Sequence, residues 1–321
     1  MVTMILARRS WASRIAFVLA IGILTSGFAA AAAAPSVGLV VSPGAASYAE
    51  SADSISASLR PAVRVHRVDL SPRENRSLLA RLLQRQPRAI VVVGSQAVRE
   101  VRESGTDIPL VYAMVLDPAS LDLPVPGDLD VGGVTGVSMS ISLESQFSLM
   151  RSMLPEGRTI GVLYDPKNNA AVIERAREVA TGFEFDLIAK EIRSEGEVLG
   201  AARLLLAKVD GIWGVADSTV LTYSNARMLL LQCLRARRPF FAISEGYVRT
   251  GALAAVAADP EAVGRRAAEM ARHIAEGGDV SDLPPEEPPE FEVFINRSTA
   301  GRLGLDTPKN VLGLKPREVG R

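Results

Sequence analysis

The chain has one cysteine, two histidines and no net charge, with 36 basic residues against 36 acidic ones over 321 positions. Each shortage removes a class of function. A single Cys233 excludes an intramolecular disulfide. Its setting, the apolar helical run Met228-Leu229-Leu230-Leu231-Gln232-Cys233-Leu234, reads as core packing rather than a reactive thiol. His66 falls in a strand-like stretch and His273 on a long helix. Neither has a partner at ligand spacing, so no metal site is expected. The absence of a basic surplus argues against a nucleic-acid partner. The chain carries neither a G-x-S-x-G elbow nor a G-x-x-x-x-G-K-S/T loop. Gly127 to Gly136 is glycine-rich but lacks G-x-G-x-x-G and leads into an extended segment, as a loop and hinge approach would. Glu286-Glu287 sits in a proline-rich linker and reads as solvated. No side chain stands out as a general base. Neither an enzyme nor a cofactor is expected.

What is present begins at the start of the chain. Arg8, Arg9 and Arg14 precede an apolar run from Ile15 to Leu24, and small residues follow to Ala31-Ala32-Ala33-Ala34-Pro35. This is the pattern of a secretory signal peptide over residues 1–34. The apolar run is shorter than the ~20 residues that span a bilayer. No cysteine closes the leader, so the expected product is released rather than lipid-anchored there, and periplasmic. It has about 287 residues with 33 basic against 36 acidic.

After the leader, strand and helix signals alternate. Val37 to Val41, Val63 to Val68, Ala89 to Val93 and Pro109 to Val115 are strand-like, with helical spacing over Ala45 to Leu59, Arg73 to Arg85 and Ser95 to Glu103. The pattern restarts with strands Thr159 to Tyr164, Phe185 to Ile192, Gly211 to Val215 and Pro239 to Ile243, and helices Ala170 to Thr181 and Glu195 to Leu206. Continuous apolar strands between helices imply parallel sheets covered on both faces. The expected architecture is α/β, with lobe 1 over residues 36–138 and lobe 2 over 142–252. The alanine-rich helix 259–276 is expected to return to lobe 1. Residues 290–305 form a final strand and helix, and 306–321 a tail with little periodicity.

In such sheets ligands bind where strands end, near helix N-termini. The candidate ligand residues are therefore Ser42; Ser95 and Gln96; Asp117; Ser138 in the first crossover; Asn168 and Asn169; Asp217, Ser218 and Thr219, which also read as a helix N-cap segment; and Ser244 and Glu245. Glu245 would meet a positive ligand group or pair with Arg249. Tyr112 and Tyr247 would stack on an aromatic ligand or pack in the core.

Several segments in a fixed order carry a resemblance. They are Gly133-Val134-Thr135-Gly136-Val137-Ser138, a helix with Gln146 ending Met153-Leu154-Pro155, and Ile160 to Pro166. Ala216-Asp217-Ser218-Thr219, Glu245-Gly246-Tyr247-Val248, Gly264 to Met270 and Ile295-Asn296 follow. Together they resemble the ABC-transporter substrate-binding proteins that include tryptophan- and tyrosine-binding members. The resemblance implies a periplasmic-binding-protein-like fold of two Rossmann-like lobes joined by a hinge that closes on a small-molecule ligand. It also implies delivery of an amino acid or similar solute to an ABC permease; a monomer is expected. The chain departs from the family at Ala170-Ala171, where Asn-Ser is frequent, at Ala216 and Ser218, and at Ser244, where Asp is frequent. Losing donors there would cost a carboxylate ligand on the order of 1–3 kcal/mol per charged hydrogen bond, unless Asn168 or Asn169 compensates. Two other functions compete: a sensory or accessory protein of the same fold signalling to a membrane sensor, and an exported enzyme, for which no base is found.

Overall fold

The computed structural model describes residues 34–320 apart from 45, 72, 129 and 130. The expected signal peptide, but for its last residue, lies outside the described residues. Pro35–Arg321 form one compact unit.

The first sheet is built from β1 (Ser36–Val41), β2 (Arg64–Asp69), β3 (Ala89–Val93), β4 (Leu110–Val115) and β5 (Val134–Ser138), in the order β2-β1-β3-β4-β5, all parallel. β3 and β4 are buried at every residue, which is why they read as unbroken apolar runs. β2, at the edge, carries Arg64, Arg67 and Asp69 instead, and such charges discourage edge-to-edge pairing. Helices α1 (Ala46–Leu59), α2 (Asn75–Leu83) and α3 (Ser95–Glu103) connect the strands. Leu79 and Leu82 of α2 and Val98 and Val101 of α3 share one apolar cluster on one face. Ile55 and Leu59 of α1 join a second cluster on the other face.

The second sheet contains β6 (Thr159–Tyr164), β7 (Asp186–Glu191), β8 (Gly211–Trp213), β9 (Phe240–Ala242), β10 (Ala254–Ala258), β11 (Phe291–Asn296) and β12 (Arg317–Val319). Its order is β12-β11-β10-β9-β8-β6-β7, parallel except for the antiparallel pair β10–β11. Helices α4 (Leu143–Met153) and α5 (Pro166–Gly182) supply Phe147, Ile173 and Ala176 to a cluster on one face. Helices α6 (Val198–Leu206) and α7 (Tyr223–Arg235) supply Ala202, Leu229 and Leu230 to a cluster on the other, where the short α8 (Glu245–Thr250) adds Val248. The sheet therefore extends past residue 252. Ala254 to Ala258, not read as a strand from sequence, is fully buried between β9 and β11. The tail expected at 306–321 is tied in, because β12 pairs with β11 and Arg317 meets Glu292 at 2.6 Å. Helix α10 (Arg297–Leu303) lies between these last two strands in the chain.

Helix α9 (Pro260–Ala275) leaves β10 and packs on α1 of the first sheet. Its small residues allow the approach: a Cβ at Gly264 would lie 2.5 Å from the Ser51 carbonyl oxygen. The chain thus passes between the sheets three times, after Ser138, at Asp259 and again after Glu286. The first and third passages are hydrogen-bonded side by side. The Ser138 N–H donates to the Glu286 carbonyl at 2.9 Å, and the Glu286 N–H to the Gly136 carbonyl at 3.0 Å. Arg266 of α9 holds the Glu286 carboxylate bidentately at 2.7 and 2.5 Å, the geometry in which a guanidinium binds a carboxylate best.

Candidate functional site

A cavity of about 370 Å³ lies where the first crossover meets both sheets. The loop after β4 supplies Leu116, Asp117 and Pro118 as one wall, and the crossover contributes Ser138 through Ser142. The opposite wall comes from Gln146 of α4, Asn169, Val172 and Arg175 of α5, Trp213 of β8 and Val256 of β10. Glu287, beside the clamped Glu286, closes the rim.

Trp213 ends an apolar strand and is almost wholly buried, so its indole N–H needs a partner. It donates to Gln146 Oε1 at 2.8 Å, and Gln146 Nε2 donates in turn to the Ile141 carbonyl at 2.7 Å. The ring packs on Phe147 with centroids 5.4 Å apart. With its nitrogen committed, Trp213 offers the cavity only carbon. Polar atoms come from elsewhere. The Ser138 hydroxyl donates to Ser140 Oγ at 2.9 Å and accepts from the Ser140 N–H at 2.9 Å. One oxygen of Asp117 accepts from the Ser120 N–H at 3.2 Å, and the other has no partner among the described residues. Arg175 and Glu287 are exposed and also lack one among the described residues. The rim therefore presents two acids and one base beside an apolar wall.

Of the residues expected from sequence, Asp117, Ser138 and Asn169 line this cavity. The others are placed elsewhere. Ser42 is buried, and its hydroxyl accepts from the Ala97 N–H at 2.9 Å, joining the end of β1 to the first turn of α3. Ser95 and Gln96 begin α3, half-buried and outside the cavity lining. Glu245 is paired with Arg249 one turn on at 2.5 Å, and Ser244 is the N-cap residue of α8. Tyr112 is fully buried with its hydroxyl on the Pro124 carbonyl at 2.7 Å, and Tyr247 packs against the α6–α7 cluster. Burial raises the pKa of both phenols.

Asp217 is the centre of a closed knot. Its Oδ2 accepts from the Asp165 N–H at 2.7 Å and from Asn169 Nδ2 at 2.9 Å; its Oδ1 accepts from the Thr219 and Val220 N–H groups at 2.9 and 3.1 Å. Thr219 Oγ1 donates to Asp165 Oδ2 at 2.9 Å. The Lys167 N–H and then the Thr219 hydroxyl hold the Asp165 carboxyl below its ordinary pKa. The helix expected to be capped by Asp217 to Thr219 instead begins at Tyr223, capped by Thr222; Ser218 lies in the intervening turn. Likewise α5 begins at Pro166 with Asp165 as cap, four residues before the expected start. This puts Asn168 on its exposed side and Asn169 on its buried side, with both amide hydrogens of Asn169 bonded to Ala216 and Asp217. Ala170 and Ala171 are exposed and do not line the cavity.

Arg175, Trp213, Gln146 and Glu287 were not among the expected site residues. Trp213 and Gln146 carried a signal: a tryptophan closing an apolar strand, and a glutamine in the first helix after a crossover, each with a polar group that burial obliges to pair. Arg175 and Glu287 carried none.

The family described as ABC transporter substrate binding protein matches residues 70–319. A tyrosine-binding protein of Clostridioides difficile is 26% identical over 218 residues, 67% of this chain, which spans 63% of that relative's length. Two solved structures share the fold over 89% of this chain and 99% of theirs. One is an ABC domain from Streptococcus pneumonia in complex with L-Trp, with a TM-score of 0.67 and 21% identity. The other is a ligand-free, open substrate-binding protein with adhesive properties from Clostridium difficile, with a TM-score of 0.71 and 20% identity.

Proposed function

The chain belongs to the ABC transporter substrate-binding protein family, whose members bind solutes and are not enzymes, and on that premise we propose that it traps an amino acid with an apolar side chain in the cavity between its sheets. The supporting observation is the composition of the cavity rim. Asp117 and Glu287 suit an ammonium group, Arg175 suits a carboxylate, and the carbon face of Trp213 with Val256 suits an apolar side chain. The volume lies within the ~300–1,000 Å³ usual for small-molecule sites. The names of the relatives, tyrosine-binding and L-Trp-bound, point the same way.

The protein acts outside the cytoplasm, in the periplasm, as the leader and the family suggest, and delivers its ligand to a membrane permease. The three crossovers act as the hinge. A melting-temperature screen of residues 35–321 against amino acids, small carboxylates, nucleosides and sugars tests the ligand. At a hundred times its Kd the right solute adds ~2.7 kcal/mol, and a response confined to sugars or nucleosides refutes the assignment. Uptake of the hit by cells lacking the gene tests delivery, and unimpaired uptake would favour a sensing role.

A further inference from the structure

On the second sheet, α6 and α7 lie side by side over the face opposite α4 and α5. Their inward residues, Leu205 and Leu206 from one helix and Leu229 and Leu230 from the other, enter one apolar cluster. Their outward faces therefore form a single surface. A helix that buries one stripe should be polar on the other, and these are not. Leu204 is 68% exposed, Met228 43% and Leu231 38%. Around them stand Arg203, Lys208, Arg227, Arg235 and Arg237, all exposed and none with an ion pair or side-chain hydrogen bond among the described residues.

Neither helix contains an acidic residue. From residue 198 to 238 the acids are Asp210 and Asp217, both committed, and the turn that leads into α6 adds the exposed Glu195 and Glu197 at its N-terminal end. Asp210 is held by the Thr159 N–H and Arg238, and Asp217 by the loop knot. Elsewhere arginines such as Arg67, Arg249, Arg266 and Arg317 have carboxylate partners. The surface thus combines unneutralised cations with large apolar side chains in a chain that has no overall positive charge.

We infer that the outward face of α6 and α7 docks on an anionic phospholipid surface. Lys and Arg near such a surface are attracted to the headgroups, while leucine and methionine side chains enter the headgroup–acyl boundary. An acidic chain without an apolar face would satisfy the cations and leave the exposed apolar residues without a role. The inference does not depend on the ligand proposed for the cavity.

The test is flotation of residues 35–321, the unit that holds every described strand and helix, with vesicles of equal parts phosphatidylglycerol and phosphatidylcholine or of phosphatidylcholine alone. The protein is expected to rise with the anionic vesicles only, and to be released in about 1 M salt, where screening acts within ~3 Å. Each cation removed should weaken partitioning about fivefold, so Arg203→Glu, Arg227→Glu and Arg235→Glu together should weaken it at least about a hundredfold. Leu204→Ser, at a position too exposed to support the fold, should weaken it severalfold with an unchanged melting temperature, which keeps the test independent of folding in the triple variant. Absence of flotation, or flotation that neither substitution set reduces, would overturn the inference. So would capture by soluble polyglutamate that Leu204→Ser leaves intact, which indicates an acidic protein, or a solution dimer dissolved by Met228→Ser.

Discussion

Two polar clusters flank the same cavity and differ in what their atoms are doing. In the knot at the ends of β6 and β8, each oxygen of Asp217 accepts two hydrogen bonds, and Asp165 and Asn169 are drawn into the same network. At the rim, Asp117 keeps one oxygen free, and Arg175 and Glu287 have no partners among the described residues. Both clusters consist of polar or charged residues, the knot's at strand ends and the rim's from the loop after β4, mid-α5 and the segment before β11. The knot spends its groups on holding two loops together. The rim leaves its groups available. The rule that ligands gather at the switch points of open sheets points to β6/β8 and to β1/β3, yet both are closed by the protein itself, the second by Ser42 on the Ala97 N–H. Partner count, rather than residue type, separates the closed knot from the open rim.

The contrast has measurable consequences. The largest is expected at Asp217→Ala, which strands several buried donors at ~1–3 kcal/mol each. Urea unfolding should show a loss on the order of 3 kcal/mol or more, and an unchanged midpoint would remove the knot's structural role. Arg175→Ala should do the reverse. It leaves stability within ~0.5 kcal/mol, while calorimetry with the amino acid identified by the screen should show Kd raised about 10–100-fold, the worth of one charge-assisted bond. A fall in stability with unchanged affinity would move Arg175 to the scaffold.

Acid should weaken the knot through Asp165. The Asp165 pKa is lowered from its ordinary 3.8 by hydrogen bonds made in the folded state. Its contribution is therefore present above about pH 4 and is lost as pH falls through the depressed folded value. Asp165→Asn should flatten that part of the stability profile in acid melts. The smallest effect is expected at Ala170→Asn with Ala171→Ser. Both positions face solvent, so affinity should change less than about twofold. A large gain would show that the family's frequent Asn-Ser pair acts in this cleft after all.

Much of the α/β alternation was legible because burial on two faces forces strands such as Ala89 to Val93 to be apolar throughout. What was not legible had weak local signals. Ala254 to Ala258 is mostly alanine, which has little strand preference, and it is a strand because β9 and β11 flank it. Arg317 to Val319 is three residues long, and pairing with β11 keeps it in place. Asp117, Ser138 and Asn169, expected from the strand-end rule, line the cavity, whereas the pairing of Trp213 with Gln146 required knowing that an indole N–H and an amide 67 residues apart in sequence would meet.

The sequence by itself determined the class of fold and the family, because each rests on periodicity or on the order of residues along the chain. Only the tertiary structure decided which polar groups remain free. The bonds that close the knot join residues 48 to 54 positions apart. Whether a buried donor or acceptor is satisfied depends on what lies within about 3 Å in space, and no local pattern in the chain records that.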